Sequence, residues 1–531
     1  MGEQRSGARR WRSIGVAALA AGLAVGGPVA QAAPDGPARV GRVAPAPDAH
    51  STAGWTTTTG TDGRTWFADA QGRARQVRGI NIKSRDLPAD ASDARLAATA
   101  AAGFDLIRIS VYWDQFEPTQ GTYDQAYFDG VRTVLARAEA HGLKVILDMH
   151  QDNFGAAFGS NGIPVWATRS DGLPFVPQDV WFLNAVQPAL MRAWQHLYED
   201  ADLRQAQVDA WLEVVDQVGS EPAVFGYDLL NEPFGELRAG ETLQEAVNRI
   251  EGGQLSDLYQ RLTDAIRTVD TERWIFVEPA NEASLGLTPA LRKIHGTKVA
   301  YYPHMYDSAI ETATYGGGTP VLNEAFFTRF RAAIVGYPQR NHVPMIFGEW
   351  GVSDASKPGM EAFIDRSVAL MDEIGSGWTA FYFDPASLPD PGFDQIIQPW
   401  AQAVAGAPTS AGFDTATRRL RVVFADDDAT GPTDLVVPPA YADGWKVVTS
   451  DADGTWSAEP DPVAGVIHVT TAKTGGAHAV CLVPEADATP CPVVLPDPAP
   501  APTPTTTAPA ATGPGTAAPA TPVAGRAAYT G

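Results

Sequence analysis

Val224-Phe225-Gly226-Tyr227-Asp228-Leu229-Leu230-Asn231-Glu232-Pro233 is an apolar run that ends on an amide, a carboxyl and a proline. Met345-Ile346-Phe347-Gly348-Glu349-Trp350-Gly351 repeats that arrangement further along the chain. A short run of β-branched and aromatic residues bounded by turn formers reads as a buried strand, so each stretch predicts a strand that leaves the core where a glutamate appears. Similar runs lie at 77–82, 106–113, 145–150, 274–278, 299–306 and 378–383, which makes eight in all. Helical spacing fills the intervals, as at 89–102, 125–141 (closed by Gly142), 255–269 and 360–374. Strands and helices in eightfold alternation predict an α/β fold, a TIM (β/α)8 barrel over 54–407, with its chemistry at the C-terminal strand ends. Just before the first strand, Trp66-Phe67-Ala68-Asp69-Ala70-Gln71-Gly72-Arg73 reads as a hairpin able to plug the barrel floor.

Beyond the barrel the pattern changes. Closely spaced strands without helices, at 420–424, 435–437, 445–448, 466–470 and 479–483, predict a small β-sandwich over 408–495. Residues 496–531 are dominated by Pro, Ala and Thr, a composition that cannot bury a core and predicts a disordered tail. At the other end, the apolar run from Ile14 to Val29 follows Arg5, Arg9, Arg10 and Arg12 and precedes Ala30-Gln31-Ala32, which predicts a signal peptide over 1–32, a linker over 33–53 and a secreted protein. Arg9-Arg10 leaves a twin-arginine route open, and the final Ala527-Ala528-Tyr529-Thr530-Gly531 leaves wall attachment as an alternative fate. In an exported chain the two cysteines, Cys481 and Cys491, predict a structural disulfide; CxxC spacing, which a metal or redox pair would need, is missing.

Composition excludes other classes. The 531 residues carry 39 Lys and Arg against 62 Asp and Glu, and the resulting net charge of −23 repels phosphate backbones, so no nucleic-acid partner is expected. A body with 44% hydrophobic residues and 14 Trp is folded, and outside the N-terminal segment no apolar run approaches the roughly 20 residues that span a bilayer.

The predicted strand ends carry polar residues that a bland core would not choose: Asn81, Lys83, Arg108, His150, Asp152, Asn231, Glu232, His304, Tyr306 and Glu349. Two carboxyls leaving strands four and seven face each other across the barrel mouth. Glycoside hydrolysis needs such a pair, one protonated to assist the leaving oxygen and one ionised to attack the anomeric carbon. Arg108 and Tyr306 are expected to keep Glu349 ionised, and Asn231 to reach a sugar 2-hydroxyl. The competing reading, a metal held by His150, His304 and Asp152, lacks HxxH or HxxxH spacing, so neither a metal nor another cofactor is expected.

Asn231-Glu232-Pro233 with Glu349 resembles glycoside hydrolase family 5, a family of retaining TIM-barrel enzymes. Leu147-Asp148-Met149-His150-Gln151-Asp152, Asn161-Gly162-Ile163-Pro164-Val165-Trp166-Ala167-Thr168 and Asn231-Glu232-Pro233-Phe234 resemble the secreted endoglycoceramidases of actinobacteria, over about residues 60–490 and including the sandwich. The resemblance implies Glu232 as acid/base and Glu349 as nucleophile, with Lys83, His150, Asp152, Trp166, Asn231 and Tyr306 lining the sugar site, to which the strand-end reading adds Arg108 and His304. It also implies cleavage of the oligosaccharide–ceramide bond of glycosphingolipids, with substrate met in micelles or membranes; a monomer is expected. At strand eight such enzymes carry a Trp that stacks on the sugar, whereas Gly377-Trp378-Thr379-Ala380-Phe381-Tyr382-Phe383-Asp384 offers Phe381 or Phe383 nearest that place and turns Trp378 to the core. A ceramide groove is expected from Phe158, Ile163, Val165, Trp166, Phe175, Val176 and Trp181 in one loop and Leu388, Phe393, Ile396, Ile397 and Trp400 in another. A β-glucanase or mannanase using the same carboxyls, and an inert glycolipid-binding or wall-anchored adhesin, are the alternatives.

Overall fold

The computed structural model describes residues 52–494 except 179–180, 316–317, 353, 382–390 and 463. The predicted signal peptide, nearly all of the linker, the tail, Phe383 and Leu388 lie outside the described residues.

Eight parallel strands form the barrel: β1 (Arg78–Ile82), β2 (Leu106–Val111), β3 (Lys144–Met149), β4 (Val224–Asp228), β5 (Trp274–Val277), β6 (Val299–Tyr301), β7 (Ile346–Phe347) and β8 (Gly377–Ala380). They hydrogen-bond in the order β7-β8-β1-β2-β3-β4-β5-β6. The ring closes where Tyr301 bridges Met345 and where His304–Met305, extending β6, pairs in parallel with Glu349–Trp350, extending β7. The last pairing sets His304 directly beside Glu349 in register. Helices cover the outside, Gln125–Ala140, Ala201–Val218, Ser256–Ile266 and Met360–Ile374 among them.

Strand alternation sorts the interior into layers. Leu106 of β2 and Ile146 of β3 sit in an apolar floor with Val77, Phe225, Trp274, Phe276, Tyr302 and Ile346. Two residues further along the same strands come Arg108 and Asp148, so apolar packing gives way to charge one layer up.

The hairpin of Thr56–Thr59 and Thr65–Ala68 serves both halves of the molecule. Phe67 packs into the floor against Trp55, Phe225 and Trp274, which is the plug expected from the sequence. Its neighbour Trp66 points the other way, into the sandwich core with Val404, Val422, Leu435 and Leu482. The hairpin, Ala74–Arg75 and Trp400–Val404, all within 54–407, thus join the C-terminal strands Thr433–Val436, Val466–Thr471 and Trp456–Asp461 in one antiparallel sheet. The opposite sheet runs Ala407–Asp414, Arg419–Ala425, Ala477–Pro484 and Trp445–Thr449. A disulfide joins Cys481 to Cys491. A buried ion pair between Arg78 and Asp372 lies near this junction, with the Arg78 guanidinium about equally close to Trp378 and Trp400, 5.3 Å from each ring.

One expected wall of the ceramide groove falls here. Phe393 and Ile396 are buried in the barrel's helical layer, Phe393 against Phe104, and Trp400 starts a sandwich-sheet strand with its indole donating to the Gly103 carbonyl. Apolar side chains in a loop can face a ligand or pack the loop onto the barrel, and packing claims Phe393, Ile396 and Trp400.

Phe67 is buried in this floor against three aromatic rings, so Phe67→Ala should lower unfolding free energy by about 3–5 kcal/mol. Urea denaturation followed by Trp fluorescence measures this, and a loss under about 1 kcal/mol would show that the floor collapses around the gap.

Candidate active site

The charged layer above the floor is organised by Arg108, which is 2% exposed. Its Nε and Nη2 donate to Asp228 Oδ2 at 3.0 and 2.8 Å. Nη2 also donates to Asn231 Oδ1 at 2.8 Å and Glu278 Oε1 at 3.1 Å and lies 3.1 Å from Asp148 Oδ1. Nη1 donates to Glu349 Oε1 at 2.6 Å and Asn81 Oδ1 at 3.2 Å. The second oxygen of Glu349 accepts from the Tyr306 hydroxyl at 2.9 Å.

Glu232 lives differently. Its Oε1 lies 3.0 Å from His304 Nδ1, and His304 Nε2 lies 3.2 Å from Glu278 Oε1. His304 Nδ1 is also 3.8 Å from Glu349 Oε2, and one oxygen of each glutamate and a ring nitrogen of His304 all fall within 4.8 Å of one another. Gly348 makes room for this meeting, since a Cβ there would stand 2.9 Å from His304 Nε2 and 2.6 Å from the Tyr302 ring.

Environment separates the two carboxyls. Burial pushes Glu232 up, and the bond and charge of His304 do not cancel that push, to which the nearby Glu349 and Glu278 add. Burial pulls Glu349 upward too, but the positive charges of His304, Arg108, His150 and Lys83 outweigh it and hold this carboxyl below its ordinary value. Burial favours neutral His304, yet Glu278, Glu349 and its carboxyl partners overcome it, so the imidazole is protonated. Burial and the adjacent Glu278 drive Asp228 well upward against the pull of Arg108.

On the other side of the mouth a second chain of charges runs outward. His150 Nδ1 meets Asp148 Oδ2 at 2.5 Å, its Nε2 faces Asp152 Oδ2 at 3.5 Å, and Asp152 Oδ2 lies 2.6 Å from Lys83 Nζ. Burial would depress His150, but Asp148 and Asp152 raise it to about 9. Lys83 Nζ stands 5.9 Å from the centre of the Phe381 ring, which places that ring, in the position where the resemblance leads one to expect Trp, on the Lys83 side of the mouth. Trp378 is fully buried against Trp350 and Phe104, as expected.

Beside Glu232 lies a recess whose wall is apolar, from Phe154, Leu190, Trp194 and Phe234, and whose inner edge is polar, from Gln151, Asp152 and Asn281. Phe154 packs on Trp194 and Phe158, and Phe158 on Phe175. Val165 and Val176 of the same excursion after β3 are about three-fifths exposed.

Of the residues expected around the sugar, Lys83, Arg108, His150, Asp152, Asn231, His304 and Tyr306 are brought together with the two glutamates. Asn231 is engaged already, its Oδ1 by Arg108 and its Nδ2 donating to the Gln151 carbonyl at 3.0 Å. Trp166 stands apart: its indole donates to the Glu117 carbonyl at 2.9 Å and its ring meets Trp113. Sequence reasoning missed Asp148, Asp228, Glu278 and Gln151. The first two had a signal, a charge inside an otherwise apolar strand run, and Gln151 stood in the motif that carries the resemblance without a role of its own; Glu278 had none beyond standing at a strand end. Glu232, His304 and Glu349 also have the spacing of a cation site, but a cation would have to displace Arg108 and Tyr306 from Glu349 and face protonated His304.

Comparison with known proteins agrees with this geometry. The family model of cellulases of glycosyl hydrolase family 5 matches residues 68–387, and that of the glycoside hydrolase family 5 C-terminal domain matches 398–481. Endoglycoceramidase I of Rhodococcus hoagii (strain 103S) is 27% identical over 414 residues, covering 74% of this chain and 82% of its own. Endo-glycoceramidase II from Rhodococcus sp. in its ganglioside GM3 complex superposes with a TM-score of 0.70 at 30% identity, over 79% of this chain and 99% of that one. The same enzyme as a lactosyl-enzyme intermediate gives 0.68 at 30% identity, over 79% and 100%. With the barrel model alone spanning more than half its length, the chain belongs to glycoside hydrolase family 5.

Proposed function

We propose that this protein is a secreted retaining endo-β-glycosidase that hydrolyses the bond between oligosaccharide and ceramide in glycosphingolipids. The observation that carries the reading is the asymmetric pair: Glu349, bound by Arg108 and Tyr306 and held below its ordinary value, has an oxygen within 4.8 Å of an oxygen of Glu232, a carboxyl that burial pushes upward. Inverting enzymes keep their carboxyls roughly 6.5–9.5 Å apart to admit a water between carboxylate and sugar, whereas retaining enzymes bring them to about 5–5.5 Å. Glu349 attacks the anomeric carbon and forms a glycosyl–enzyme bond as the glycosidic oxygen departs with the proton of Glu232. Protonated His304 donates through Nδ1 to Oε1 of Glu232, so the acid proton sits on Oε2. Glu232 then takes a proton from water, whose oxygen attacks the anomeric carbon and frees Glu349.

The lipid half of the proposal starts from the loop after β3, where the apolar Val165 and Val176 are about three-fifths exposed. Burying apolar surface contributes roughly 25 cal/mol per Å², so a groove covering a few hundred Å² of ceramide contributes several kcal/mol. The likeness to a relative solved in a ganglioside complex supports the same assignment. Export is proposed from the Arg-flanked apolar segment that ends at Ala30-Gln31-Ala32.

Incubation with neutral glycolipids, gangliosides and soluble β-glucans, followed by mass spectrometry, should show intact ceramide and intact oligosaccharide, with β-anomer as the first product by NMR. Release of monosaccharide only, cleavage of glucan alone, or α-anomer first would reject the reading.

The pH profile on an unactivated substrate should be bell-shaped, its acid limb below the ordinary glutamate range because Glu349 must be ionised, its alkaline limb above it because Glu232 must be protonated. Glu232→Gln should cost roughly 10²–10⁴-fold on such a substrate, spare a dinitrophenyl glycoside, lose the alkaline limb there and respond to azide. Ordinary activity of Glu232→Gln on natural glycolipid would mean that another group is the acid.

A further inference from the structure

Glu232 sits at φ +41°, in the left-handed region that side-chain-bearing residues avoid, so its surroundings must hold it there. Every backbone polar group of Asn231-Glu232-Pro233 is committed. The Asn231 N–H donates to the Met149 carbonyl and the Pro233 carbonyl accepts from the Asn281 N–H, both main chain to main chain. The two groups of Glu232 itself are held by side chains instead. Its N–H donates to Glu278 Oε2 at 2.9 Å, and its carbonyl accepts from Gln151 Nε2 at 3.0 Å. The same Gln151 amide donates its other N–H to the Asn231 carbonyl at 2.9 Å.

Both holders are themselves locked. Gln151 is buried; its Oε1 accepts from the Phe154 N–H at 2.7 Å, and its own carbonyl accepts from Asn231 Nδ2. Phe154, like Asn153 before it, lies at positive φ, so one glutamine side chain braces two left-handed turns against each other. Glu278, 1% exposed, accepts from Arg108 through Oε1, and that oxygen also faces His304 Nε2, whose other nitrogen meets the Glu232 carboxyl. Glu278 therefore reaches Glu232 at both ends, through its N–H and through His304.

From this clamp we propose that Gln151 and Glu278 are positioning residues that fix the backbone of Glu232, and with it the place from which its carboxyl gives a proton to the leaving oxygen. The proposal rests on the reading of Glu232 as the acid. The direction of the Cα–Cβ bond follows from φ and ψ, so relaxation of Glu232 toward an ordinary conformation swings the carboxyl away from the glycosidic oxygen, and misplacement by about 1 Å is enough to cost on the order of a hundredfold. A brace that merely stabilised the barrel would slow all substrates alike. A brace that aims an acid penalises only substrates that need one.

The test uses the full chain with Gln151→Met, Glu278→Ala and Glu278→Gln, and two substrates, phenyl β-lactoside and 2,4-dinitrophenyl β-lactoside, whose leaving group departs without a proton. Gln151→Met and Glu278→Ala should lower kcat on the phenyl substrate by roughly ten- to a hundredfold with much smaller loss on the dinitrophenyl one, and should shift the alkaline limb of the pH profile. Glu278→Gln keeps an oxygen for the Glu232 N–H and should restore part of the loss. Equal losses on both substrates with an unmoved alkaline limb, or no loss at all, would overturn the proposal. Should either of the first two variants fail to fold by thermal melting, Glu278→Gln decides by the same ratio and limb. Glu232→Gln, measured alongside, separates the two claims: if it shows no preference for the dinitrophenyl substrate, the acid assignment fails; if it does while the brace variants do not, only the positioning proposal fails.

Discussion

A guanidinium taken out of water must find carboxyls or amides in fixed places, and that of Arg108 finds them on most of the barrel at once. From β2 it reaches Asn81 on β1, Asp148 on β3, Asp228 on β4, Glu278 after β5 and Glu349 after β7. Desolvating such a charge costs several kcal/mol, and only this ring of partners offsets it. The ring has two consequences. It requires charged residues inside strands that are otherwise apolar, and it spends part of its positive field on Glu349. The downward shift of Glu349 is thus a by-product of the constraint that organises the interior.

Glu232, proposed as the acid, is pushed the opposite way by a different route. Glu232 is turned away from Arg108 and meets the imidazole of His304, while burial supplies the larger influence. Two carboxyls a few ångströms apart would repel if both were charged, and the protein avoids this by placing one on a permanent cation and the other in a pocket. Charge at the mouth gathers on Lys83, Asp152 and His150 and apolar packing on Phe154, Trp194 and Phe234, and the two groups meet at Asp152, which lines the recess with these rings.

Much of this was legible in the sequence because it is local. Strand period places Leu106 below Arg108 and Ile146 below Asp148, and an apolar run that ends on Glu232 or Glu349 places each carboxyl at the mouth. Helix Met360–Ile374 starts and stops where its pattern does. What was not legible depends on partners far away in the chain. Trp66 and Phe67 serve two different cores because one sheet borrows its strands from both ends of the molecule. Phe393 and Ile396 look like ligand-facing residues until the helical layer covers them. Gln151 and Glu278 gain meaning only from the left-handed backbone of Glu232, which sequence does not announce.

The central claim is that Glu349 is the nucleophile because Arg108 and Tyr306 keep it charged against the sugar. It is tested most directly by trapping the enzyme with a 2-deoxy-2-fluoro-β-lactosyl fluoride, digesting it and locating the added sugar by tandem mass spectrometry. The account predicts one stoichiometric adduct, on the peptide that contains Phe347-Gly348-Glu349-Trp350, at Glu349 itself. An adduct on Glu232, Glu278 or any other residue, or turnover of the reagent with no covalent species formed, would contradict it.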